Sequence, residues 1–277
     1  MQSLIPQREW SSGVAMQPDR ATECGGKRMK GILPQDYSGH PLITIIIVAF
    51  RDREEVAALI ENIAPYLEMD VELVIIDGGS DEGTLELLRS QDEVVNYWLS
   101  EPDRGIYDAM NKGLAAAQGE YILHLNAGDR LRVVPFEALR RHAAANVDVV
   151  SCSVLIDGDA KFVARTGILS KIANTWHHQG TFYRRTTHLG YDASYRTHGD
   201  FDHNQRMLKA GFQVKCDPTT VADHQSGGAS MIDKKRLETY RSVKANFGWP
   251  YFILARMFYE FLDVRSWIRD KVQRSKV

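Results

Sequence analysis

A carboxylate at the end of an apolar run is the first feature of this sequence that invites chemistry. Tyr121, Ile122, Leu123 and Leu125 form a near-continuous apolar stretch, as a strand buried on both faces of a sheet requires. The run breaks off at Asn126-Ala127-Gly128-Asp129, where Gly128 permits a tight turn and Asp129 is left at the strand's carboxyl end. Ligands of open α/β sheets bind at that end. A carboxylate there can hold a divalent cation, and the cation a diphosphate. Taken alone, Asp129 reads as a solvated turn residue that does little packing, since Asp is common in turns.

Its neighbours shift that balance. Phe50-Arg51-Asp52, Asp77-Gly78-Gly79-Ser80 and Ser100-Glu101-Pro102-Asp103 each follow an apolar run as well. In a parallel sheet all of these ends share one edge. They supply an aromatic ring for a base, carboxylates for ribose hydroxyls or a metal, and glycines for close backbone approach, which outlines a nucleotide site. The sequence has neither a G-x-G-x-x-G fingerprint nor a P-loop lysine, which argues against a dinucleotide or a glycine phosphate cradle. Diphosphate charge then falls to a metal and to basic side chains, of which Arg104 and Lys112 are nearest.

The elements that must position these ends follow from periodicity. Strands are expected over 43–50, 71–77, 94–100 and 120–125. Between them lie an amphipathic helix over 53–67, ending or kinking near Pro65, a short helix over 84–89, and a helix marked by Ile106, Met110, Leu114 and Ala117. This β-α-β-α-β-α-β order predicts a Rossmann-like, mostly parallel sheet with right-handed crossovers and flanking helices. Beyond Asp129 the pattern predicts a helix over 135–145, a hairpin of 147–156 and 161–165 around Asp157-Gly158-Asp159, and a strand over 180–185. A helix over 201–211 follows, capped by Gly211, and then helical segments over 231–247 and 251–268. Residues 1–40 lack periodicity and read as a mobile tail, with Met29 as an alternative start. The domain reading is therefore a tail over 1–40, one α/β domain over 41–230 and a C-terminal helical extension over 231–277.

Composition adds bounds. A net charge of −2 gives no electrostatic footprint for nucleic acid. Cys24, Cys152 and Cys216 are widely separated, which fits a reducing, cytoplasmic setting better than a disulfide framework. The first thirty residues carry no secretory apolar core, and no uncharged run is long enough to span a bilayer.

The segments IIIVAFRD, VIIDGGSDEGT, SEPDRGIYDAMNKGLAAAQGEYILHLNAGD and HQGTFYRR, taken together, resemble glycosyltransferase family 2, whose members are inverting enzymes with a GT-A fold. The likeness covers about 42–230 and is greatest to bacterial members that build capsular, exopolysaccharide or lipopolysaccharide units. It implies a nucleotide-sugar donor, usually UDP-linked, a saccharide or lipid-linked acceptor, a divalent cation (Mn2+ or Mg2+), and one carboxylate as general base. On this likeness Phe50 stacks near the donor base, and Asp77 opens the family's Asp-Asp-Gly-Ser turn, whose second Asp is Gly78 here. Asp103, Asn111 and Lys112 face the nucleotide-sugar. Asn126 to Asp129 stands in place of the Asp-x-Asp metal motif, leaving Asp129 as the metal carboxylate and Asn126 on the donor side. Asp200 falls where the base sits, with Asp202 as a helix-terminal charge or the substitute base. His178, Gln179 and Asp202 line the acceptor side. His224 would reach the diphosphate or the metal.

The chemistry explains these types. An acceptor hydroxyl must lose its proton as it attacks the anomeric carbon, and a carboxylate opposite the leaving group can take it, which inverts the centre. The diphosphate departs with growing negative charge that a cation stabilises. The rival reading is a catalytically inactive GT-A domain serving as a binding or scaffold subunit, favoured by the lost motif carboxylates. A nucleotidyltransferase is disfavoured because FRDREE after the first strand is not glycine-rich. The aromatic, cation-bordered segment 249–268 is expected to meet the inner face of the cell membrane peripherally, to pack on its own domain, or to pair in a homodimer.

Overall fold

The computed structural model describes residues 22–32, 40–81, 83–225 and 236–274. In chain order the first half holds β1 (Glu23–Gly25), β2 (Ile43–Ala49), α1 (Arg53–Ile63), β3 (Val71–Asp77), α2 (Thr84–Ser90), β4 (Tyr97–Ser100), α3 (Ile106–Ala116) and β5 (Tyr121–Asn126). The second half holds β6 (Arg130–Leu131), α4 (Phe136–Ala144), β7 (Val149–Ile156), β8 (Ala160–Phe162), β9 (Thr181–Arg184), α5 (Gly199–Ala210), β10 (Val214–His224) and α6 (Leu237–Arg274).

The strands form one sheet in the order β1-β4-β3-β2-β5-β9-β7-β10-β6, with β8 paired to β7. β4, β3, β2 and β5 run parallel, as the alternating pattern requires. β9 enters antiparallel between β5 and β7, and β10 runs parallel to β7. Strand alternation divides the core. Ile43, Ile45 and Ile47 face Val56, Leu59, Ile60 and Ile63 of α1, whereas Ile46 and Val48 face Tyr107, Ala109 and Met110 of α3. Two glycines let backbone come close. A Cβ on Gly113 would lie 2.4 Å from Ile46 Cγ2, and one on Gly119 would lie 2.4 Å from the Thr44 backbone nitrogen.

Several expectations need correction. Residues 22–32 are not a mobile tail, because β1 pairs with β4 in the register Glu23 to Ser100 and Gly25 to Trp98. Asp92 accepts hydrogen bonds from both the Gly26 amide and Trp98 Nε1, and Arg28 pairs with the buried Glu72. These long-range contacts, and not local periodicity, order the segment. The rest of the tail reading, residues 1–21 and 33–39, lies outside the described residues, as do 226–235, where the boundary expected at 230 falls. The strand expected over 94–100 begins only at Tyr97, since the Val94 and Val95 amides turn back to the Gln91 carbonyl after α2. α1 stops at Ile63 and passes into a 3-10 turn at Ala64–Tyr66 that holds Pro65. β6 and β10 are strands that periodicity does not predict. The two C-terminal helical segments expected from the sequence are present as two arms of α6, separated at Gly248 (φ 79°), whose backbone is not helical, just before Pro250.

Candidate active site

The carboxyl ends of β2, β3, β4 and β5 meet along one edge, and the polar residues of the sequence cluster there. Phe50 leaves β2 with its ring 55% exposed. Beside it, a Cβ on Gly78 would fall 2.6 Å from Asp103 Oδ2 and 3.2 Å from the Phe50 ring. The Asp103 carboxylate thus occupies the space that a side chain at position 78 would fill. It is held there by the Gly105 amide, which donates to Oδ1 at 2.8 Å. Phe50, Gly78 and Asp103 form an open shelf with a ring and a carboxylate, groups suited to a base and to ribose hydroxyls.

At the end of β5 the arrangement is closed and polar. Asp129 is only 2% exposed. Its Oδ2 accepts from the Asn126 amide at 2.7 Å and from Gln179 Nε2 at 3.0 Å. Its Oδ1 lies 2.8 Å from Nδ1 of His224, at the end of β10. The expectation that Asp129 does little packing is therefore corrected: the carboxylate ties the β5 turn to the 3-10 turn His178–Gly180 and to β10. Asn126 Oδ1 and Gln179 Oε1 are buried with no partner among the described residues.

A second carboxylate stands one link away. Asp200, in the first turn of α5, is 7% exposed. Tyr107 Oη donates to its Oδ1 at 3.3 Å, and Asn174 Nδ2 to its Oδ2 at 3.1 Å. His178 bridges the two halves. Asn126 Nδ2 lies 3.2 Å from His178 Nε2, and His178 Nδ1 lies 3.4 Å from Asp200 Oδ2. The ring thus faces Asn126 with one nitrogen and Asp200 with the other. A continuous path thus runs from Asp129 through the Asn126 backbone and amide to His178 and Asp200.

Burial raises the pKa of a carboxyl, yet that of Asp200 is lowered to about 2, because the hydrogen bond and charge of His178, the nearby His198 and the Phe201 amide outweigh it. Asp200 is therefore ionised at neutral pH while shielded from bulk water. Burial, with His178 and His224 close by, lowers His177 to about 4 and keeps that ring neutral.

Asp129 and His224 are the pair that fits a divalent cation. One carboxylate oxygen and one imidazole nitrogen already converge, and ions such as Mn2+ accept mixed oxygen and nitrogen donors. The orphaned oxygens of Asn126 and Gln179 are hard donors on adjoining residues. No group of three or more His, Cys, Asp or Glu is arranged as ligands among the described residues, so a ligand's own oxygens would have to complete the shell.

The model of the family described as glycosyl transferase family 2 matches residues 44–211, which run from the second residue of β2 through β5 to the end of α5. The chain belongs to that family. A PGL/p-HBAD biosynthesis glycosyltransferase of Mycobacterium bovis BCG is 32% identical over 219 residues, 72% of this chain and 83% of the relative. An uncharacterized glycosyltransferase of Mycobacterium tuberculosis is 34% identical over 91 residues, so this chain spans only 35% of that relative's length. Among solved structures, S. aureus TarS 1-349 in complex with UDP-GlcNAc superposes with a TM-score of 0.57 at 14% identity, covering 74% of this chain and 66% of that 1-349 chain. The mannosyltransferase PcManGT from Pyrobaculum calidifontis, in complex with GDP-Man and Mn2+, gives 0.53 at 16% identity, covering 82% of this chain and 79% of that one. The fold is thus GT-A.

Within this family 2 chain the structure brings Phe50 and Asp103 together on the shelf, and Asn126, Asp129, His178, Gln179 and Asp200 together behind it. It does not bring the others there. Asp77 is fully buried, and its oxygens accept from the Ser80 amide, Ser80 Oγ and Ser100 Oγ, so it builds the β3 turn from inside. Asn111 clamps the Tyr191 backbone through both its amide atoms, each at 2.8 Å. Lys112 is spent on the Pro102 carbonyl (2.9 Å) and Glu101 (2.8 Å), bracing the loop that carries Asp103. Arg104 pairs with Asp108 at 2.9 Å. Asp202 accepts from Tyr195, Arg206, Ser242 and Asn246, contacts that anchor α6 on α5. Sequence reasoning missed Tyr107 and Asn174 on Asp200. Only the topology, with β9 beside β5, reveals them as neighbours.

Proposed function

We propose that this chain transfers one sugar, with inversion, from a nucleotide-sugar, UDP-linked, to a saccharide or lipid-linked acceptor in the assembly of a cell-surface polysaccharide or glycolipid. The observation that carries the reading is the linked pair of buried carboxylates, Asp129 and Asp200, joined through Asn126 and His178 behind an open shelf of Phe50 and Asp103. The base stacks on Phe50, and Asp103 receives the ribose hydroxyls. Asp129 and His224 hold a divalent cation that, when bound, offsets the charge of the departing diphosphate. Asp200 accepts the acceptor hydroxyl's proton as its oxygen attacks the anomeric carbon. His178 keeps one Asp200 oxygen oriented through its Nδ1, while Tyr107 and Asn174 hold the carboxylate plane. The contacts to Asp200 are long, 3.1 to 3.4 Å, so its oxygens retain capacity for a further proton. Peripheral membrane contact through 249–268 would bring a lipid-linked acceptor to this edge.

The two TarS and PcManGT complexes, with UDP-GlcNAc and GDP-Man, guide the choice of test. A panel of UDP- and GDP-sugars with Mn2+ or Mg2+, read as slow release of nucleoside diphosphate by hydrolysis, identifies the donor. The anomeric configuration of the transferred sugar, read by proton NMR, tests inversion. The second reading, an inactive GT-A scaffold, is favoured by the motif's reduction to one carboxylate. It predicts donor binding without any release of nucleoside diphosphate.

A further inference from the structure

The outer arm of α6, from Trp249 onward, carries apolar residues on two sides. Ala255 is fully buried and, with Phe201 and Val243, fixes the inner side on α5. On the other side Ile253, Met257, Phe261, Val264 and Ile268 follow one another at three- and four-residue spacing, with Leu254 beside them, which makes one continuous stripe along the helix. All six are between 44% and 64% exposed. A surface helix normally turns its polar face outward, so this stripe has no partner within the described chain.

Cations stand on both borders of the stripe, one of them, Arg256, paired with Glu260. On one side Arg265 and Arg269 line a shallow groove with Leu262 and Ser266. On the other side Lys271 lies 5.0 Å from the ring of Trp267, which is itself 62% exposed. From 249 onward the sequence sets Arg256, Arg265, Arg269, Lys271, Arg274 and Lys276 against Glu260, Asp263 and Asp270, and Asp263 is held by Arg236. No helix among the described residues is long and apolar enough to cross a membrane.

We propose that this stripe lies in the surface of an anionic bilayer, with its apolar side chains among the acyl chains and its bordering cations at the lipid phosphates. Charge complementarity selects this occupant. Two copies joined face to face would bring like-charged borders together, whereas phosphates of a membrane neutralise them. Aromatic rings at the polar border, such as Trp267 and Trp249, suit the headgroup level. The inference extends the proposed function by placing the acceptor at a lipid surface, and it stands on the helix alone.

Flotation of the full chain with vesicles of phosphatidylcholine and phosphatidylglycerol, against phosphatidylcholine alone, tests it without any turnover. The chain should float with the anionic vesicles, bind phosphatidylcholine more weakly, and be released by salt. The double substitution Met257→Glu/Phe261→Glu should lower binding at least about tenfold with an unchanged Tm, since both side chains are exposed. Failure to float with either vesicle would overturn the proposal. So would a variant of much lower Tm, which would make the stripe a packing surface, or a dimer in light scattering that the substitutions dissolve while flotation is absent. None of these outcomes bears on donor hydrolysis, so this inference and the transferase reading fail separately.

Discussion

Acidification below pH 6.5 should destabilise this protein steeply, because several histidines are locked neutral in its core. His124 of β5 and His203 of α5 are completely buried, and His188 is half-buried with its Nε2 shut off from solvent. Both ring nitrogens of His124 and His203, and Nε2 of His188, have no hydrogen-bond partner among the described residues. The rings pack on one another and on tyrosines: His188 and His203 stack at 4.1 Å, and Tyr191 lies 5.3 Å from His124 and 4.9 Å from His203. Among the described residues no carboxylate acts on them to favour a charge, and Arg206 opposes one on His188 and His203. Burial therefore pushes His188 down to about 3 and holds His124 and His203 well below the usual imidazole value. His177, at about 4, behaves alike. The folded pKa values lie below the unfolded value of about 6.5, so the unfolded chain binds more protons in the window below it. Stability is then complete above about pH 7 and is lost as pH falls. Each such histidine removes roughly 1.4 kcal/mol per pH unit below about 6.5, so four remove about 5 kcal/mol by pH 5.5. A domain's whole stability is about 5–15 kcal/mol. Asp200, lowered to about 2, acts only below about pH 4 and leaves this window alone. Urea unfolding followed from pH 7.5 to 5.5 should show an uptake of about three to four protons on unfolding near the lower limit. His203→Phe should remove about one of them. An uptake of one proton or fewer would refute the reasoning.

Three further predictions follow from single residues. Asp129→Asn should lower transfer roughly a hundredfold or more and weaken metal-dependent donor binding, measured by calorimetry with and without Mn2+. Because the carboxylate is bonded to Gln179 and His224, the same change should also cost about 1–3 kcal/mol in urea unfolding. His178→Ala, which removes the bridge between Asn126 and Asp200, should cut turnover about ten- to a hundredfold in steady-state kinetics while leaving donor affinity nearly unchanged. Gly119→Ala should destabilise the domain by about 1–3 kcal/mol in thermal unfolding, because its Cβ would press on Thr44 and Ile43 backbone atoms that cannot move aside.

What could be read in advance follows the range of the forces involved. β2, β3 and β5 announce themselves because both faces are buried, and Gly211 closes α5 in the left-handed conformation (φ 80°) its spacing suggests. β1 leaves no such mark. Three residues carry no period, and their order comes from Trp98, Asp92 and Glu72, more than forty positions away. β10 hides behind Pro218 and a register shift between Cys216 and Thr220, where the strand slips against β7. At the site, residue type and strand-end position point to Phe50, Asp103 and Asp129, since edge location follows from topology. Side-chain direction does not. Asp77, Asn111 and Lys112 sit at or next to the same edge yet turn inward to hold turns and loops together. The role of His178 depends on β9 entering beside β5, a non-local pairing that its His-His context in the sequence gives no means of foreseeing.

The most direct test of the proposed chemistry is Asp200→Asn, with donor binding and transfer measured on the same preparation. The substitution keeps the side chain's shape and an oxygen for His178 but removes the proton acceptor. Donor affinity by calorimetry should stay within about twofold, and transfer should fall on the order of 10²- to 10⁴-fold. Transfer at the wild-type rate, or donor binding lost in parallel with transfer, would contradict the assignment of Asp200 as the base.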